Sequence, residues 1–277
     1  MYRILMCAVA GALFISSQAV AQEKVSFPST DGTTLTGYLY KPTGSGPFAA
    51  VVGMHGCNGV VNDKGEIDPL YGQWGEILSS KGYYVLLVDG FRPRGQSNLC
   101  LMQPISIRPI LPWKETVRDT FGGLNYLRSR PDVRPDSIGI MGQSYGGMAM
   151  MFTIADGALP KDQNDFRFAV AFYPNCPEVL NRDAHWRPRQ RMLLLSGELD
   201  GFTPACKEII ARAQGGPPID AHFYPDTYHA FDHPNQPVTV TDVKLPPDGH
   251  PLIVGSNPQA RADAINRVTQ YLAKQLQ

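Results

Sequence analysis

Five short apolar runs constrain this chain most: Ala49–Met54 (AAVVGM), Tyr83–Val88 (YYVLLV), Ser137–Met141 (SIGIM), Phe168–Tyr173 (FAVAFY) and Met192–Ser196 (MLLLS). Each is strand-sized and apolar at consecutive positions, the mark of a strand covered on both faces. Between them lie segments with helical spacing. Tyr71–Lys81 stops at Gly82, and Lys114–Ser129 sets Val117, Phe121, Leu124 and Leu127 on one face. Tyr145–Ala155 and Ala205–Ala213 read as two further helices, Ala221–Tyr224 as a last short strand, and Pro258–Leu276 as a closing amphipathic helix. Thr33–Tyr40 alternates like a hairpin strand after the turn Thr30-Asp31-Gly32. Strands alternating with helices require a mostly parallel sheet with helices on both faces. Such sheets place their chemistry beyond the C-terminal ends of the strands.

One of those ends carries Gly142-Gln143-Ser144-Tyr145-Gly146, a G-x-S-x-G set between a strand and a helix. A sharp strand-to-helix turn crowds the residues around the serine, so its neighbours two positions away must be tiny. The hydroxyl then stands clear of the sheet at a helix N-terminus, which favours a developing negative charge.

A serine hydroxyl needs a base. Of the six histidines, His229 follows the last short strand, where a late loop can fold back over Ser144. His185 and His222 read as ordinary surface or core residues. His250 competes as base but sits in a long irregular segment with no strand to position it. His229 and His233 have a metal-compatible spacing only on a helix, which Pro234 argues against, so no metal is expected. Asp200, just past a buried strand, is the orienting acid, with Glu198 the runner-up. The chain order Ser144, Asp200, His229 is that of the α/β-hydrolases. An oxyanion site would take the backbone N–H of Tyr145 and that of Cys57 in the loop His55-Gly56-Cys57-Asn58-Gly59, with Asn58 as fallback. Arg92 and Arg94 could hold a substrate carboxylate or form a structural ion pair. The Tyr145 side chain could line an acyl pocket.

At the N-terminus Arg3 precedes the apolar run Ile4–Ile15, followed by Ala19-Val20-Ala21. This is a secretory leader pattern with cleavage expected after Ala21, the run being shorter than the ~18 residues that span a bilayer. Cys7 lies too early in the run to serve as a lipid-attachment cysteine. Residues 22–277 then form one domain, exported to the periplasm or beyond, with no membrane span. Export permits disulfides. Cys57, Cys100, Cys176 and Cys206 allow three pairings, of which Cys57–Cys100 and Cys176–Cys206 follow if consecutive strands lie side by side. There is no C-x-x-C for zinc. Lys+Arg and Asp+Glu both total 25, so no basic excess points to nucleic acid.

These stretches together resemble the dienelactone hydrolase family: MHGCNG (Met54–Gly59), VDGFRPRG (Val88–Gly95), GQSYGG (Gly142–Gly147), GELDGFTPAC (Gly197–Cys206) and YHAFD (Tyr228–Asp232). The resemblance implies an α/β-hydrolase fold with an eight-stranded sheet and cofactor-free hydrolysis of esters or lactones. It also implies Ser144 as nucleophile, Asp200 as orienting acid and His229 as base. Type members carry cysteine in the elbow; serine here points to more ordinary esters. Two rivals stand beside this reading. A peptidase of the same fold would normally add a propeller or lid domain, and a binding protein on a hydrolase scaffold would typically lack a triad member. A purely structural protein would have no use for a strained elbow. The proline-rich segment His233–Asn257 is expected to be an ordered loop rather than a helix.

Overall fold

The computed structural model describes residues 22–157, 165–213, 215–245 and 249–275. The expected leader, residues 1–21, and its cleavage point lie outside the described residues.

Eight strands form one sheet: β1 (Gln22–Pro28), β2 (Thr34–Tyr40), β3 (Phe48–Met54), β4 (Tyr83–Asp89), β5 (Val133–Gln143), β6 (Ala169–Phe172), β7 (Met192–Gly197) and β8 (Ile219–Tyr224). Their spatial order is β1-β2-β4-β3-β5-β6-β7-β8. The β1–β2 and β2–β4 pairs are antiparallel, and β4, β3, β5, β6, β7 and β8 pair in parallel. This is the α/β-hydrolase architecture expected from the sequence. A second, two-stranded sheet joins β9 (Thr239–Leu245) and β10 (His250–Val254).

Alternate residues of the parallel strands enter two different cores. Ala50, Val52, Met54, Leu86 and Val88 pack with Phe121 and Leu124 of α2 (Glu115–Arg128), Met148 of α3 (Tyr145–Thr153), Val179 of α4 (Cys176–Arg182) and Ile209 of α5 (Thr203–Arg212). Val51, Val85, Leu87, Leu193 and Leu195 pack with Leu70, Trp74 and Leu78 of α1 (Pro69–Ser80) and Val268 and Leu272 of α6 (Pro258–Gln275). Both faces of these strands are therefore buried, which is why they read as continuous apolar runs. α1 starts where the Asp68 side chain accepts the Leu70 N–H at 2.8 Å, ahead of Pro69.

The register sets Met54 opposite Gly142 and Gln143 opposite Phe172. It likewise sets Phe172 opposite Leu195 and Gly197 opposite Tyr224. The loops leaving these strands thus start at one rim. The chain turns to α1 on one face after β3 and to α3 on the other face after β5. The crevice between β3 and β5 is the switch point where such sheets bind ligands.

The segment expected to be an irregular loop is instead largely the β9–β10 hairpin. Its backbone pairs antiparallel from His250–Leu245 to Val254–Thr239, with an irregularity between Pro251 and Ile253. His250, read as lacking a strand, is the exposed first residue of β10.

Candidate active site

Ser144 sits between β5 and α3 with φ 53° and ψ −112°, a left-handed conformation costly for a residue with a side chain. The turn is tight because its glycines leave no room for more. A Cβ on Gly142 would lie 2.3 Å from the Gly146 carbonyl oxygen, and one on Gly146 would lie 2.2 Å from that of Met54. α3 begins at Tyr145 with no side-chain cap, so the N–H groups of its first turn lack an intrahelical partner.

His229 comes from the loop after β8. The β10 strand holds it there: its N–H donates to the Ile253 carbonyl at 3.2 Å and its own carbonyl accepts the Gly255 N–H at 2.9 Å. Its Nδ1 lies 2.7 Å from Asp200 Oδ2 and its Nε2 2.9 Å from Ser144 Oγ. A carboxylate only accepts, so Nδ1 carries the proton and Nε2 is left to accept from the Ser144 hydroxyl. Asp200 is 1% exposed, and its other oxygen accepts the Phe202 N–H at 3.0 Å. Glu198, the runner-up, instead faces Lys207 at 3.3 Å on the surface.

The loop after β3 is held from below. The Gly56 N–H donates to the Tyr71 hydroxyl at 2.8 Å, and that hydroxyl donates to Asn58 Oδ1 at 2.9 Å. Asn58 Nδ2 donates to Asp68 at 3.2 Å. His55 Nδ1 donates to the Gly56 carbonyl at 2.7 Å, and burial pushes the imidazole pKa down, which favours its neutral form. Cys57 is bonded to Cys100 and Cys176 to Cys206, the two expected pairings.

These parts open on a cavity of about 330 Å³ lined by Ser144, His229, Cys57, Cys100, Tyr173 and residues of the hairpin, including Val243 and Leu252. Among the described residues, its lining includes Asp68 and Asp242 but no lysine or arginine. His233 also lines it, with Nε2 3.6 Å from Asp68.

Several expected site residues are placed elsewhere. Arg94 binds Asp119 through two 2.8 Å contacts and Asp31 at 3.3 Å, an internal ion pair. Arg92 donates to the Asn62 carbonyl at 2.5 Å. Neither arginine is brought to the cavity. The Tyr145 side chain is not in the wall either: its hydroxyl donates to the Ile110 carbonyl at 2.8 Å inside the core. His250 lines neither this cavity nor the neighbouring groove under Leu245. The sequence reading missed Asp232, whose carboxylate lies buried between Trp74 and Tyr173. Its only local signal was its place in YHAFD.

The fold is that of the α/β-hydrolase class, with Asp200, His229 and Ser144 in one hydrogen-bonded line past its strand ends. Within it the chain belongs to the dienelactone hydrolase family, whose model matches residues 35–276. It is 32% identical over 129 residues to the Bacillus subtilis protein YtaP, named as a hydrolase, covering 43% of each chain. It is 29% identical over 250 residues to human dipeptidyl peptidase 8, covering 76% of this chain and 26% of that one. The chain thus spans less than half the length of these two relatives. Among solved structures, the dienelactone hydrolase-like promiscuous phosphotriesterase P91 from metagenomic libraries aligns with a TM-score of 0.68 at 16% identity, over 93% of this chain and 99% of that one. A dienelactone hydrolase from Anabaena variabilis aligns at 0.63 and 15% identity, over 92% and 99%. These structural likenesses carry the fold alone.

Proposed function

We propose that this chain is a serine hydrolase cleaving carboxylic esters or lactones through an acyl-enzyme. The observation that carries the reading is the continuous hydrogen-bonded line Asp200–His229–Ser144 ending on a cavity large enough for a small ester. His229 Nε2 takes the Ser144 proton as Oγ bonds to the substrate carbonyl carbon. The tetrahedral oxyanion is met by the N–H of Tyr145 and that of Cys57, each such donor contributing about 3 kcal/mol. His229 then returns the proton to the leaving oxygen, and the alcohol departs. Water, deprotonated by His229, attacks the acyl-enzyme and releases the acid and free Ser144. Asp200 keeps the proton on Nδ1 throughout. The cavity's acidic side chains, with no lysine or arginine beside them among the described residues, favour neutral substrates over carboxylate-bearing ones.

A peptidase reading draws support from the match to dipeptidyl peptidase 8 over 76% of this chain. Parallel assays on p-nitrophenyl esters and peptide p-nitroanilides separate the two. For the chemistry itself, a fluorophosphonate should label Ser144, located by mass spectrometry, and His229→Ala should abolish labelling. Ser144→Ala should lose turnover by at least ~10³-fold with an unchanged melting temperature. Undiminished turnover in that variant would end the proposal.

A further inference from the structure

Two costs converge on one ring beside His229. Tyr173, the first residue after β6, holds φ 37°, a strained conformation for a bulky side chain. Its hydroxyl donates to Asp232 Oδ1 at 2.5 Å, and Trp74 Nε1 donates to Asp232 Oδ2 at 2.8 Å. Asp232 is fully buried, and burial raises its carboxyl pKa while those two donors favour the ionised form. Burying a carboxylate is unfavourable unless its oxygens are satisfied, and here each oxygen receives one donor. The Asp232 carbonyl accepts a further bond from Gln73 Nε2 at 2.5 Å, which ties the assembly to α1.

What this assembly fixes is the Tyr173 ring, which lines the catalytic cavity with its centroid 4.5 Å from that of the His229 imidazole. Phe202 contacts the same imidazole at 5.5 Å with its plane at 81°. In the proposed reaction the imidazole gains a positive charge as it takes the serine proton. A cation near the face of an aromatic ring and within ~6 Å of its centroid is attracted to it, and the Tyr173 plane is tilted by 60° to the imidazole. A phenol whose hydroxyl donates to an acceptor is more electron-rich than a free phenol, and the Tyr173 hydroxyl donates to Asp232 Oδ1.

We propose that Tyr173, anchored by Asp232 and Trp74, is a positioning residue that stabilises the His229 imidazolium. The inference rests on the serine-hydrolase reading above. It adds a charge-stabilising support beside Asp200, acting on the ring rather than on Nδ1. No proton is exchanged: the serine proton goes to Nε2 and on to the leaving group, and the Tyr173 proton stays on its phenol.

The test uses Tyr173→Phe, Asp232→Asn and the double variant of the full chain. Hydrolysis of p-nitrophenyl acetate is measured per active site, with sites titrated by a fluorophosphonate. Acylation and deacylation both pass through the imidazolium, so kcat reports the effect whichever limits. The expected result is a fall in kcat per titrated site of about three- to tenfold in each single variant, with KM unchanged. The double variant should be no worse than the worse single one, because both act through one ring. A kcat per titrated site within about 1.5-fold of the unaltered chain in Tyr173→Phe, whatever the melting temperature does, would overturn the proposal and make the cluster a structural one. If Asp232→Asn does not fold, Tyr173→Phe decides alone, since it keeps the carboxylate and its Trp74 partner. Failure of the unaltered chain to label at Ser144 would instead remove the serine-hydrolase reading, and this one with it.

Discussion

At the residue scale the site depends on absent side chains as much as on present ones. Gly146 lies so close to β3 that an added methyl group would sit 2.2 Å from the Met54 carbonyl oxygen and 2.6 Å from that of His55. Both are backbone atoms at the start of the loop bearing Cys57, so neither can yield without moving that loop. Gly146→Ala should therefore destabilise the fold by about 3 kcal/mol. It should also slow fluorophosphonate labelling of the molecules that remain folded. Chemical denaturation and labelling kinetics check the two parts, and a stability change below about 1 kcal/mol would contradict the close approach. That Ser144, Asp200 and His229 would meet was legible because each sits in a short motif just past the end of a strand. Tyr173 and Asp232 were not, since 59 positions separate them and nothing in FAVAFY marks its last residue as more than the end of a strand. Arg92 and Arg94 were legible as cations but not as to purpose. Only the packing of α2 brings the buried carboxylate of Asp119 to Arg94.

That ion pair works at the scale of elements. Arg94 joins the 3₁₀ turn after β4 to Asp119 on α2 and to Asp31 in the β1–β2 turn. Asp119 is 0% exposed on its side chain, so removing Arg94 would leave a buried charge without its partner. Arg94→Ala should lower stability by about 3 kcal/mol while leaving ester turnover per titrated site unchanged. Asp31 adds a dependence on pH. Burial opposes its ionisation, but hydrogen bonds from Thr33 and the Arg94 charge prevail and lower its pKa to about 2. A carboxyl depressed in the folded state stabilises above its unfolded value near ~4, and that contribution is lost as pH falls toward 2. The loss of stability between pH 4 and 2 should thus be shallower in Arg94→Ala, as read by melting temperature against pH. The parallel strands were easy to see because two cores bury them on alternate residues. The hairpin was hidden for the opposite reason: β9 has no buried residue, alternating only between exposed and half-buried. Thr241, Asp242 and Val243 of β9 line the cavity, and prolines at 237, 246, 247 and 251 made the segment read as a loop. α4 was missed because its seven residues, CPEVLNR, are too few to show a period.

For the whole molecule, two disulfides tie the site's loops to the scaffold, a feature that suits an oxidising compartment. They close segments of 43 and 30 positions, each removing unfolded-chain entropy equivalent to about 4 kcal/mol on a loop-closure argument. They differ in access. Cys176 and Cys206 are both 0% exposed, whereas Cys57 and Cys100 are only partly buried and line the cavity at Ser144. A thiolate must reach the sulfur it attacks, so mild reductant should open Cys57–Cys100 first. That bond anchors the residue proposed to supply half of the oxyanion site, and the Cys57 carbonyl accepts the Leu99 N–H at 2.8 Å beside it. Its reduction should therefore lower ester turnover several-fold before the chain melts, whereas reduction of the second pair should coincide with unfolding. Alkylation of the freed thiols, followed by peptide mapping at timed intervals, orders the two events against activity and circular dichroism. Loss of activity that tracks only Cys176 and Cys206 would separate the oxyanion loop from its disulfide and leave the cavity-lining bond a purely structural tie.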